Sequence, residues 1–169
     1  SGQSAQIERR EGNLNVLKKY PEIKLLEMRT ANWSRAEALS LMENWLNAHP
    51  GQIHGVIGQN DEMALGAIQA MKAAGIDPKT IPTSGIDGVT DALLAIKSGE
   101  MVSCTLQDAT GQAQGALDLA LRALIGESYE PKAECWKYMD WGAEMQEVYN
   151  VPWVPVTLDN VDELLRQRE

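Results

Sequence analysis

The sequence predicts an α/β fold: a three-layer αβα sandwich built on a mainly parallel, doubly wound sheet. Two observations carry this. Helix-period and strand-period patterns alternate along the chain with little interruption, the signature of repeated β-α units over a parallel sheet. The stretch Gln59-Asn60-Asp61-Glu62-Met63-Ala64-Leu65-Gly66 follows the short apolar run Gly55-Val56-Ile57-Gly58 and opens a helical pattern. It places amides and carboxylates where a strand gives way to a helix, the crevice at which open α/β sheets bind ligands. A length of 169 residues suits one domain with a sizeable core, and no internal repeat, low-complexity segment or long linker divides it.

The elements follow in order. Residues 4–20 read as a helix with Ile7, Leu14 and Leu17 on one stripe and Pro21 as its stop, and residues 23–28 as a strand. Ser34 caps a second helix with Glu37 at capping-box spacing. Leu39, Met42, Trp45 and Leu46 supply its apolar face, and Pro50-Gly51 ends it. Residues 54–58 form a strand and residues 61–74 a helix, with Gly75 where a left-handed residue is wanted. Residues 81–86 are a strand, Asp87-Gly88 a turn, and residues 90–97 a helix closed by Gly99. Residues 102–106 give another strand and residues 109–125 a long helix, packed closely through Gly111 and Gly115 and stopped by Gly126. Beyond it, residues 135–139 read as an edge strand, residues 142–155 as aromatic and irregular, and residues 158–168 as a terminal helix capped by Asp159 or Asn160.

Lys plus Arg total 15 against 24 Asp plus Glu, a net charge of −9. That sign is wrong for a phosphate-backbone binder, so no nucleic-acid partner is expected for this segment. No apolar run approaches the roughly 20 residues that span a bilayer. No signal peptide is visible, and Ser1-Gly2-Gln3-Ser4 reads like the interior of a longer protein. Cys104 and Cys135 read as buried small apolar residues, and a disulfide between them depends on geometry that sequence does not show. His49 and His54 have no Cys, Asp or Glu at metal-ligand spacing, so no metal is expected. No cofactor fingerprint is present, and Ser4, Ser84 and Ser103 lack a nucleophile-elbow context.

Four residues share one placement, just past the carboxy end of a strand or at the following helix start: Trp33, Asn60, Asp87 and Gln107. In a parallel sheet those ends line one edge. A carboxylate, two carboxamides and an indole suit a sugar, whose hydroxyls need both donors and acceptors and whose C–H face stacks on an aromatic ring. Each has a plainer reading alone. Asn60 or Asp61 serves as an ordinary helix cap, Asp87 before Gly88 is a common turn pair, Trp33 fits a core, and Gln107 fits a solvent-facing surface. Arg9, in Glu8-Arg9-Arg10-Glu11, reads on its own as a helix-surface ion-pair member. Joint placement is what points to a site.

These residues, taken with Ser4-Ala5, Gly12, Ala31-Asn32-Trp33-Ser34-Arg35, Gly85-Ile86-Asp87-Gly88 and Thr105-Leu106-Gln107, resemble the periplasmic sugar-binding proteins of the ribose-binding type, solute receptors of bacterial ABC importers. Order and spacing are similar to the carboxy-terminal lobe of that type I family over nearly the whole chain. The resemblance implies that Arg9 reaches sugar hydroxyls, that Trp33 stacks on the ring, and that Asn60, Asp87 and Gln107 serve as hydroxyl-binding amide, carboxylate and hinge-side amide. Taken with the residue-level reading, it leaves Asn60 as the ligand amide and Asp61 as the helix cap. It also implies one sugar-binding lobe over residues 1–169, including a tail and helix over about 142–169, with no catalysis, cofactor or metal. The implied partners are a monosaccharide or polyol, the missing amino-terminal lobe and a membrane permease. The implied location is periplasmic or lipid-anchored extracellular.

In that family a strand precedes the helix at residues 4–20, and here its slot is vacant. The slot is expected to be filled by a second copy or a rearranged segment, or else the chain is a proteolytic remnant. The alternative function is the effector-binding core of a LacI-type repressor, which has the same fold and crevice. An enzyme of flavodoxin-like build fits poorly, for want of a nucleophile, metal or cofactor constellation.

Overall fold

A computed structural model describes residues 2–134 and 151–168 of the chain. They form two compact units, one comprising Ser1–Thr105 and Pro155–Glu169, the other Leu106–Val154.

The first unit opens with α1 (Ser4–Leu17) and α2 (Arg35–Ala48), followed by β1 (Val56–Ile57), α3 (Asp61–Ala73), β2 (Thr83–Asp87), α4 (Thr90–Ser98) and β3 (Ser103–Leu106). After β4 (Val154–Val156) the chain ends in α6 (Val161–Arg166). The four strands form one sheet in the order β1-β2-β3-β4. β1 and β2 are parallel, with Val56 opposite Thr83 and Ile57 opposite Ser84.

Local chemistry sets the helix ends. Ser34 Oγ accepts the Glu37 N–H (3.3 Å) at the start of α2, and the left-handed Gly75 and Gly99 follow α3 and α4. Half of the expected capping box forms: the Glu37 carboxylate accepts from Asn32 Nδ2 at 2.8 Å. The core joins α2 to α3 through Met42, Ala67, Ala70 and Met71, with Ile81, Leu39, Trp45 and Val56 packed around them. Gly66 faces the Arg35 carbonyl so closely that a Cβ there would collide with it, which lets α2 and α3 approach.

In the second unit, α5 (Ala109–Ile125) starts at Asp108, whose carboxylate accepts the Gly111 N–H at 2.9 Å. The buried Asp118 carboxylate then gathers the following loop, accepting from Tyr129 Oη (2.7 Å) and the backbone N–H groups of Lys132 (3.0 Å) and Ala133 (2.7 Å).

Several expectations need correction. Residues 23–28 carry no strand, because no strand lies beside them among the described residues to complete a ladder. A groove of about 1390 Å³ is lined instead by residues 22–33 and 51–58, with side chains of α1 and α2. No described segment of the chain pairs there, so a rearranged segment does not fill the slot among the described residues. The terminal helix is shorter than predicted, and Asn160 gives no side-chain cap, since its Oδ1 accepts the Thr157 N–H at 2.9 Å. Residues 154–156 are a strand where irregular chain was predicted. Residues 135–139 and most of 142–155 lie outside the described residues. Cys104 is buried and has no disulfide partner among the described residues, Cys135 lying outside them.

Candidate functional site

Four of the five predicted residues meet at the carboxy ends of β1 and β2. Arg9 comes from α1, Trp33 from the loop before α2, Asn60 from the start of α3, and Asp87 from the end of β2. Arg9 Nη1 donates to the Gln59 carbonyl at 2.6 Å, and Nη2 donates to Asp87 Oδ1 at 3.3 Å. Its guanidinium carbon lies 5.5 Å from the centroid of the Trp33 ring, a cation–π distance. Trp33 Nε1 donates to Gln3 Oε1 at 2.8 Å. Asn60 Nδ2 donates to the Trp33 carbonyl at 3.3 Å, which ties the indole loop to α3.

Backbone conformation singles out the same place. Among the described residues, the non-glycine positions with left-handed φ are Asn32 (47°), Trp33 (64°) and Asp87 (119°). Such angles cost on the order of 1–3 kcal/mol per residue and persist only where surrounding structure over-determines them. Strain of this kind clusters at ligand clamps, and here it sits under the indole and the carboxylate.

The electrostatics are partly balanced. Burial pushes the Asp87 carboxyl above its ordinary value, and the adjacent Arg9 guanidinium pulls it back without cancelling the rise. Arg9 and Asp87 keep 13% and 32% of their side-chain surface exposed, so both present polar atoms at the crevice.

Sequence reasoning misassigned the junction after β1. Asn60, not Asp61, caps α3: its Oδ1 accepts the Met63 N–H at 2.9 Å. Asp61 is the first helical residue and fully buried, and its Oδ2 accepts the backbone N–H groups of Gly88 (2.6 Å) and Val89 (2.8 Å). Backbone geometry decides between adjacent polar residues, and a run of Asn-Asp-Glu does not reveal which one sits at the extended cap position. Gln3 and the Gln59 carbonyl were also missed. An amide at the cap position of α1, six residues before Arg9, was the available signal for Gln3, and main-chain groups leave none. Gln107 directly follows β3, is half-buried, and belongs to the second unit. Among the described residues no cluster of His, Cys, Asp or Glu is arranged to hold a metal ion.

The fold is of α/β build, with a polar crevice at the carboxy ends of β1 and β2. The periplasmic binding protein domain family matches residues 1–128, and the chain belongs to that family. It is 40% identical over 161 residues to a xylitol-binding protein of Mycolicibacterium smegmatis, which covers 95% of this chain and 41% of that protein. In structure it is similar to an ABC transporter solute-binding protein of Bacillus halodurans solved with bound myo-inositol (TM-score 0.79, 35% identity, 98% of this chain and 51% of that one). It is likewise similar to a Caulobacter myo-inositol binding protein solved with myo-inositol (TM-score 0.81, 30% identity, 98% and 52%). The chain thus spans about half, or less, of the length of these relatives.

Proposed function

We propose that the chain, residues 1–169, is one lobe of a two-lobe receptor that binds a monosaccharide or polyol outside the cytoplasm and delivers it to an ABC permease. The observation that carries the reading is the Arg9–Trp33–Asp87 cluster, held on strained backbone at the carboxy ends of parallel strands. Trp33 offers a ring face, Asp87 accepts from hydroxyls, and Arg9 donates to them. Asn60 contributes the remaining hydrogen of Nδ2, and the sequence resemblance alone assigns Gln107 the role of a second carboxamide. Relatives that bind xylitol and myo-inositol, both dense in hydroxyls, support this ligand class. They are solute-binding proteins, which favours a receptor over a repressor core. The mechanism is binding and closure, not catalysis.

The groove supports a partner of stated form. Val56 and Gly58 send their N–H groups to Pro82 and Ser84 carbonyls of the β2 strand line, so Ile57 between them turns its own N–H and C=O toward the opposite side. Ile23, Leu25, Met28 and Ile57 are exposed large apolar residues along that groove. An extended apolar strand supplied by the complementary lobe meets both needs by β-strand addition. Two copies of this chain joining through the same groove is the competing occupancy.

Thermal-shift measurement against pentoses, hexoses and polyols, including xylitol and myo-inositol, tests the ligand class. At least one polyhydroxylated compound is expected to raise the melting temperature. Stabilisation by amino acids or nucleotides alone refutes the reading. Sedimentation of the chain with and without the complementary lobe tests the partner: a one-to-one complex is expected, and a homodimer that excludes the other lobe overturns it.

A further inference from the structure

We propose that Asp61 is the positioning residue for the ligand-facing carboxylate of Asp87, acting through the turn between β2 and α4. The inference rests on the reading of Asp87 as a ligand contact.

Asp87 stands at φ 119°, a region that residues with a Cβ seldom occupy, and Gly88 follows at φ 77°. Two consecutive positive-φ residues would relax unless held. Asp61 holds them from below: one oxygen of a fully buried carboxylate accepts from both Gly88 and Val89, in charge-assisted bonds stronger than neutral ones. The anchor is itself rigid, because Asp61 is the first residue of α3, whose start is pinned by the Asn60 cap. Gly85 completes the device. A Cβ there would collide with Asp61 Oδ1 and lie 2.7 Å from Met101 Cε, so the glycine leaves the room that the carboxylate occupies. Among the described residues, Asp61 Oδ1 has no hydrogen-bond partner. The two bonds of the carboxylate go to the adjacent N–H groups that directly follow Asp87, so they fix the turn that carries the strained residue.

The test compares Asp61→Ala, which deletes the acceptor, with Asp61→Asn, whose amide oxygen retains it. Met71→Ala is a core control placed away from the crevice. Affinity for xylitol and myo-inositol is expected to fall about 30-fold in Asp61→Ala, and to stay within about 3-fold of wild type in Asp61→Asn and Met71→Ala. Equal affinity in wild type and Asp61→Ala, or equal loss in Asp61→Ala and Asp61→Asn, overturns the proposal. Amide hydrogen exchange at Gly88 and Val89 reads the positioning without ligand. Exchange that accelerates in Asp61→Ala alone supports it, and unchanged exchange refutes it. If no polyol binds the wild type, the ligand reading fails while exchange still decides the positioning. Should Asp61→Ala not fold, Val89→Pro removes one of the two donors at a φ of −64° that suits proline, and is read the same way.

Discussion

Asp61 and Asp118 are both buried carboxylates, one in each compact unit, and the protein treats them oppositely. Asp118 is surrounded by donors. Burial pushes its carboxyl up, but bonds from Ala133, Tyr129 and Lys132 outweigh that and hold it below the ordinary value. Among the described residues Asp61 receives two bonds on one oxygen and none on the other, and burial pushes it up to about 6 against the bonds from Val89 and Gly88. The two therefore titrate in opposite directions: at Asp61 desolvation outweighs two backbone bonds, whereas at Asp118 it is weaker and three bonds outweigh it. Asp118 is spent wholly on gathering its own loop, while Asp61 tolerates an unsatisfied atom to hold a strained turn beside the crevice.

The largest expected effect lies at Asp118. Replacing it by Leu leaves a phenol and two backbone N–H groups without their acceptor and should cost about 4 kcal/mol in urea unfolding. Asp61→Leu should cost about half as much, because the desolvated charge disappears along with the two bonds. A larger loss at Asp61 would break the contrast.

The pH dependence should separate the two next. With a folded value near 6 against an ordinary 3.8, Asp61 binds its proton more tightly in the folded chain. Its contribution is fully present below the ordinary value and is lost as pH rises through about 6, a swing on the order of 3 kcal/mol. Asp118, held low, contributes above the ordinary carboxylate value and loses that contribution as pH falls through its folded value. Urea melts from about pH 4 to about pH 7 should show Asp61→Asn removing a downward slope, and the same slope in both proteins would contradict the assignment.

The smallest effect sharpens the local geometry. Gly85→Ala should destabilise by about 1 kcal/mol through overpacking against Asp61 and Met101. In an Asp61→Ala background, where that space is free, most of the penalty should vanish. Additive costs would mean that the two residues do not share the space.

Much of this was legible in the chain. Ser34 with Glu37, the glycines after α3 and α4, and the Asp87-Gly88 pair announced their elements because caps and turns are written in a few adjacent residues. Asn60 and Asp87 could be named as crevice residues because strand-to-helix junctions share an edge; Trp33 was placed by a strand at residues 23–28 that does not form, and it reaches the crevice from the loop before α2. Arg9 could not be read from its neighbours: its partners stand 50 and 78 residues away, and a helix-surface pattern looks the same with or without them. Residues 23–28 failed in the reverse sense. Their pattern is strand-like, but pairing needs a neighbour that the pattern does not contain.

By itself, then, the sequence determined the α/β alternation over residues 35–125 and the polar character of the crevice, since these follow from periodicity and short-range signals. Tertiary structure decided the rest: which of two adjacent polar residues caps α3, where Arg9 points, which backbone positions carry strain, and which flank of β1 is left without a partner. Each depends on groups brought together from distant parts of the chain, where hydrogen-bond geometry and steric fit, not local propensity, choose among residues of similar chemistry.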